Sequence, residues 1–489
     1  MKKLFFLLCF ACTIALQAQQ VSWGTPAKLI ESFNTPTRII SGKYIGSVNG
    51  NDYYAYYSRH AKFFTTEGFQ FVFCKVSNTG IQKFTEYTAL NYNLIDVMVI
   101  NDQIGVIYVT GDKKEKRNVK IDYYNPNTLT KAKTVTLFSF DPVDKYEPYK
   151  ELLISPDKSQ IALVVNGKNP ESKRSSIIIK VYNPLLEEIW SENYDFNGDG
   201  YPIIGDMLIS NSGKLIIHLN IYETEKYKKL ISYNFVEFTN GNIREINTTQ
   251  TTPKDLIDYK IKAVGEDQYM AVFTEEELIN GYMVDFNKEE VNKVISYKVY
   301  EGYWKVDDVL PLSNGNFTIA VANRNLDILE QRNNNGFVNY KFFYWNRSIC
   351  FICFNPNQNE IVYQKYLGRE FNRAQGNRSE FPFITLDPYY FVKDNDVYLI
   401  YNTSYDTKDN QSNKKEAPFL MYMTCVSTKK PVAKMATISE DGKLKLQLLF
   451  DAKKAKGVFA PQFTHFNSEG EIIMAKFKNK YLSIGKMSL

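Results

Sequence analysis

Short apolar runs alternate with polar turns along almost the whole chain. Apolar residues hardly ever recur at the three-to-four spacing of an amphipathic helix, so the pattern predicts strands throughout. The turns recur in kind and in place. Asn49-Gly50-Asn51, Asn101-Asp102-Gln103, Pro156-Asp157-Lys158, Asn211-Ser212-Gly213, Gly265-Glu266-Asp267, Ser313-Asn314-Gly315, Lys393-Asp394-Asn395 and Ser468-Glu469-Gly470 each separate two apolar runs. These residue types tolerate tight or left-handed turns. Their central residues fall at 50, 102, 157, 212, 266, 314, 394 and 469. The beat is 48–55 residues and widens to 80 and 75 only where polar inserts intervene.

A second turn follows later in each unit, as in Tyr124-Asn125-Pro126, Tyr182-Asn183-Pro184, Phe286-Asn287 and Phe354-Asn355-Pro356. Each unit then holds four strands, which in the third are residues 152–154, 160–165, 176–182 and 188–194. Four strands per unit at this period predict an all-β fold, a single β-propeller of about eight four-stranded blades, or seven if one unit is miscounted. Radial stacking covers both faces of each sheet. The last unit has three obvious strands, and residues 21–30 are left over to supply a fourth and close the ring. No Pro/Gly/Ser-rich linker marks the boundary that two consecutive β-domains would need.

The phrase Ile154-Ser-Pro-Asp-Lys-Ser-Gln-Ile-Ala-Leu163 resembles the strand-turn-strand of TolB-like and WD40-like propellers, which implies the same blade architecture. Strands alternate in direction within a blade, so loops sort onto two faces. The short repeated turns share one face. The tracts 59–68, 323–339, 368–382 and 405–417 belong to the other and predict one decorated rim, where binding usually resides. That rim is rich in arginine. Of 11 arginines, Arg324, Arg332, Arg347, Arg369, Arg373 and Arg378 lie between 324 and 378, near Trp345 and other aromatics. A guanidinium fork suits carboxylates and phosphates and stacks on aromatic rings. We therefore expect Arg324, Arg332, Arg369, Arg373, Arg378, Trp345 and His60 to face a protein or glycan partner; salt bridges to Glu330, Glu370 and Glu380 are the bland alternative.

Charge adds little. The formal net charge is +5, and no concentrated basic stripe suggests nucleic acid. The 35 Tyr and 33 Phe suit half-buried pleated surfaces. Lys2 and Lys3, an apolar stretch over residues 4–16 and Ala18 read as a secretory signal, leaving 19–489 as the propeller domain. No later run is long enough to cross a membrane. We expect export to the periplasm or exterior. Cys74, Cys350, Cys353 and Cys425 then remain, and the Cys350/Cys353 pair sits in a strand, where residues three apart point to opposite faces. That predicts packing, with no redox or metal role.

Asp195-Phe-Asn197-Gly-Asp199-Gly200-Tyr201 matches D-x-[DN]-x-[DN]-G. Asp195, Asn197 and Asp199 would give side-chain oxygens, Tyr201 a carbonyl and Asp206 the last carboxylate of a structural calcium site. The run resembles the calcium loops of FG-GAP propellers, and departs from them in carrying Ile203 at the ninth position. The alternative is an Asn/Asp/Gly turn between blades.

No metalloprotease, nucleophile-elbow or phosphate-loop motif occurs, and His60 has no identifiable partner. Asp96, Asp258, Asp307, Asp308 and Asp387 lie near first strands, which line a propeller's channel, so a polysaccharide hydrolase or lyase using two facing carboxylates is the alternative function. A non-catalytic binding or scaffold role ranks first, and an outer-membrane-associated assembly subunit third.

Overall fold

The computed structural model describes residues 21–28, 38–60, 68–77, 80–89, 93–111, 116–143, 150–168, 175–223, 229–248, 256–265, 267–275, 278–299, 303–332, 338–368, 373–375, 387–404, 431–454, 457–467, 469–478 and 481–489. They form eight antiparallel sheets of at least four strands. Blade 3 shows the plan, with strands Lys150–Ile154, Ile161–Lys168, Ser175–Tyr182 and Glu188–Tyr194 paired in chain order. First strands of neighbouring blades touch one another, which places them innermost around the axis. Fourth strands carry the exposed positions, as in Lys131–Phe140 of blade 2.

The hydrophobic patterns follow from this placement. Second strands are covered on both faces, so Gln103–Thr110, Ile161–Lys168 and Leu215–Tyr222 are buried along nearly their whole length. The described core divides into eight apolar clusters, and each spans one seam between adjacent blades. Eight seams for eight blades close the ring and settle the blade count. The repeated turns have the backbone their residue types suggest. Asn49 and Gly50 (φ 49° and 71°), Asn101 and Asp102 (47° and 52°), and Asp394 and Asn395 (51° and 64°) place two successive left-handed residues between first and second strands.

Blade 8 is completed from the other end of the chain. Its inner strand is broken into Val458–Phe459 and His465–Phe466 around the 3-10 turn Pro461–Phe463. Ile472–Lys478 and Tyr481–Met487 follow, and Ser22–Trp23 and Ala27–Lys28 pair antiparallel with the latter. The leftover N-terminal segment therefore does close the ring. Trp23 holds it: its ring meets Phe450 edge-on at 5.1 Å, Lys476 Nζ lies 4.0 Å from the ring, and a Cβ on Gly485 would come 2.7 Å from the indole. Trp23→Ala is expected to cost about 2 kcal/mol, below the 3–5 typical of a core Trp, because the ring is only half-buried. Urea unfolding checks this, and a loss under about 0.5 kcal/mol would mean that the strand is held by its backbone alone.

One expectation about the rim changes. The described parts of the tract 323–339 are strand: second strand Phe317–Arg332 and third strand Val338–Asn355 of blade 6 run on past the sheet as the arms of a long hairpin, and residues 333–337 between them lie outside the described residues. The tract 368–382 contributes Arg373–Gln375, which pairs with the same third strand at Tyr344, Phe343 and Phe342. The tract 405–417, residues 61–67 and the signal segment lie outside the described residues.

Candidate functional site

The inner strands present a recurring device. In blades 2, 4 and 6 the register slips at an aspartate, Asp96, Asp206 and Asp308, and its carboxylate accepts the next residue's N–H, from Val97 (2.7 Å), Met207 (3.0 Å) and Val309 (2.9 Å). The bulge turns the aspartate toward the neighbouring blade. Asp96 pairs with Lys43 of blade 1. Asp206 also accepts the Ile261 N–H of blade 5 at 2.7 Å, and Asp258 accepts the Val306 N–H of blade 6 at 2.9 Å. Lys260 and Lys262 of blade 5 lie 3.7 and 3.8 Å from Asp308. Aspartates thus staple inner strand to inner strand around the axis. Burial raises the pKa of Asp206 above the usual carboxylate range. Burial also raises Asp258, and the negative charge of Asp307 adds to the shift.

Where the blade 6 hairpin leaves its sheet, these groups converge. The Arg324 guanidinium is shared between Asp307 on the inner strand of blade 6 and Asp387 just before that of blade 7, the latter at 2.7 Å from Nη1. Tyr390 donates to the second Asp307 oxygen at 2.5 Å, and the Arg324 N–H donates to the Tyr303 carbonyl at 2.8 Å. Asp307 is 4% exposed and Arg324 24%. Burial opposes Arg324's charge, and the two carboxylates more than offset it, so its pKa is raised. Beside this cluster Tyr303 is 57% exposed at the channel rim.

Other sequence-selected residues are placed as follows. Arg332 ends the second strand of blade 6 opposite Val338, Trp345 lies opposite Asn325, and Arg373 opposite Tyr344, so the hairpin gathers them with Arg324 on the loop face. Arg369 and Arg378 lie outside the described residues. His60 ends the second strand of blade 1, on the same face but three blades along the ring. Asp195, Asn197 and Asp199 form the connection from blade 3 to blade 4. Gly200 there has φ 102°, and a Cβ on it would come 2.7 Å from the Tyr222 carbonyl, which is a steric reason for that glycine. Tyr201 is 42% exposed at the start of the following strand. Asp206 lies within that strand, both its oxygens accepting backbone N–H groups. Among the described residues no group of three His, Cys, Asp or Glu gathers as a metal cluster.

Cys350 packs in the seam with blade 5 and Cys353 in the seam with blade 7, as the strand alternation requires. Burial pushes the Cys350 thiol up to about 12, far from a reactive thiolate. His218 is enclosed by Tyr233, Phe235, Tyr259 and Phe273 at ring distances of 5.1–5.3 Å. His465 stacks on Tyr44 at 3.5 Å with Nε2 3.4 Å from Asp52, across the seam that closes the ring.

Sequence reasoning missed the lysines Lys43, Lys260 and Lys262, together with Tyr390 and the stapling role of Asp206. A signal was present. An aspartate followed by Val or Met recurs in alternate units, at 96, 206 and 308.

No protein-family model matches the chain. No curated protein matches it. Among solved structures, the Dos1 propeller matches over 95% of this chain and 95% of its own (TM-score 0.36, 7% identity). The WD40 domain of SCAP from fission yeast matches over 95% and 98% (0.35, 8%). The periplasmic gluconolactonase of Pseudomonas aeruginosa matches over 72% and 88% (0.38, 10%). These similarities are slight, and the β-propeller architecture of this chain rests on its own strand pairing and seams.

Proposed function

We propose that the protein is an exported, non-catalytic binding or scaffold propeller, of the periplasm or the exterior, that captures a protein or glycan partner on the loop face around the blade 6 hairpin. The observation that carries this reading is the hairpin itself. Its strands have 16 and 18 residues where the other described strands have at most 11, and its root is pinned by Arg324 to the inner strand of blade 6 and to Asp387 just before that of blade 7. A long projection on a rigid scaffold adds contact surface without adding to the core. The described channel carboxylates already accept from a backbone N–H or a cation, an arrangement that suits a scaffold more than a paired acid and base.

Replacing residues 325–345 by a two-residue Asn-Gly turn tests the reading on glycan and peptide arrays, run with and without calcium. Capture is expected to fall at least tenfold while the urea midpoint stays within the range of the parent. Unchanged capture discards the hairpin as the site.

A further inference from the structure

We infer that the partner is a polypeptide, taken up as an added β-strand along the axis-facing edge of the blade 6 hairpin; this rests on the hairpin being the binding site. The inner strand of blade 6, Trp304–Pro311, pairs with the second strand only from Phe317 to Asn323. The Arg324 backbone N–H still donates inward, to the Tyr303 carbonyl, but from Asn325 to Arg332 the second strand is paired on its outward side alone, with the stretch from Val338 to Trp345. That stretch is in turn met on its far side by Arg373–Gln375. Among the described residues no strand pairs with the inward edge of 325–332. Because the inner strand lies on the axis side of the second, this open edge faces the axis, above the channel mouth.

An open edge presents N–H and C=O groups that recur about every 6.8 Å, the two-residue repeat of an extended peptide. A second backbone meets that row in register, and a sugar chain has no matching repeat of donors and acceptors. Natural edges are usually blunted with lysine, proline or bulges. Residues 325–332 read Asn-Leu-Asp-Ile-Leu-Glu-Gln-Arg, with no lysine, proline or glycine. The pinned root holds the edge in place before any partner arrives, which lowers the ordering cost of binding. Charge argues against a second copy of this chain. Antiparallel self-pairing about the middle of the segment sets Asp327 against Glu330, and like charges directly opposite are unfavourable. The same two residues favour a segment with lysine or arginine at two positions three apart, opposite Asp327 and Glu330, and apolar residues between them opposite Ile328 and Leu329.

The experiment uses the full chain and a phage-displayed library of 12-residue peptides. Selected peptides are expected to carry two basic residues three apart with apolar residues between them. In the free protein half of the amides in 325–332 are expected to exchange hydrogen quickly, and a bound peptide is expected to slow them at least tenfold. Asp327→Pro and Ile328→Pro form a matched pair, since adjacent residues direct their N–H groups to opposite edges. The one facing the axis is expected to abolish peptide capture with the hairpin's own protection retained; the other breaks the hairpin ladder. Axis-facing amides already protected in the free protein, peptide binding that survives both prolines, or dimers joined through this edge would each overturn the inference. Glycans captured with no peptide selected would sink it while leaving the hairpin as the site. Capture unaffected by hairpin excision would remove both.

Discussion

An Arg324→Met variant is expected to lose about 2–4 kcal/mol of stability, because it strands the carboxylate of Asp307 in a nearly closed environment. Breaking a buried pair by removing one partner typically costs 3–5 kcal/mol. The figure is set lower here because Asp387 is 35% exposed, and its share belongs with the small values of surface pairs. Arg324→Lys keeps the charge but cannot span two carboxylates with a planar fork, so an intermediate loss is expected. Adding Asp307→Asn to Arg324→Met removes the stranded charge and is expected to restore part of the stability. Urea unfolding followed by tryptophan fluorescence reads all three, with Trp304 buried three residues from Asp307. A loss below about 1 kcal/mol for Arg324→Met, or no recovery in the double variant, would show that the cluster does not anchor the hairpin.

The second large effect is acid sensitivity from His218. Its ring is 1% exposed and walled by four aromatics, and a Cβ on Gly205 would lie 2.5 Å from its Nδ1, so no room exists for solvation on that side. Burial lowers its pKa from 6.5 to about 3. The unfolded chain therefore takes up a proton below pH 6.5 that the folded chain refuses until about pH 3. Above pH 6.5 both forms are neutral and the residue contributes no pH dependence. As pH falls through that window, stability drops by about 1.4 kcal/mol per unit, or about 2.7 kcal/mol by pH 4.5. His218→Leu removes the titration. The difference in unfolding free energy between parent and variant, followed from pH 7 to pH 4.5, is expected to change by that amount. Parallel pH profiles would mean that His218 is solvated or protonated in the folded state.

The architecture was legible because a propeller writes its period in turns. Two consecutive left-handed residues demand Asn, Asp or Gly, and the pairs at 49–50, 101–102 and 394–395 supply them. The hairpin was misread because its strands lack the usual alternation. Leu326, Ile328 and Leu329 break the period of two, Phe342 to Trp345 is continuous aromatic, and the run Asn333-Asn-Asn-Gly336 reads in the sequence as a loop. The converging charges were illegible for another reason. Lys43 meets Asp96 across 53 residues and Arg324 meets Asp387 across 63, distances set by how blades stack and by bulges that shift register, neither of which leaves a mark in local spacing. Arg324 drew notice for its type, and only its neighbours showed that both arms of its fork are already occupied.

The closing seam has a mechanical side. Ser22 lies opposite Lys486 and Lys28 opposite Tyr481, so the two chain ends leave the paired strands at the same end. Tension between those ends would load one hydrogen-bonded pair at a time and peel the strands like a zipper, where a parallel arrangement would share the load in shear. Tethering by one end leaves that zipper slack, whereas a pull across both would part the paired ends stepwise.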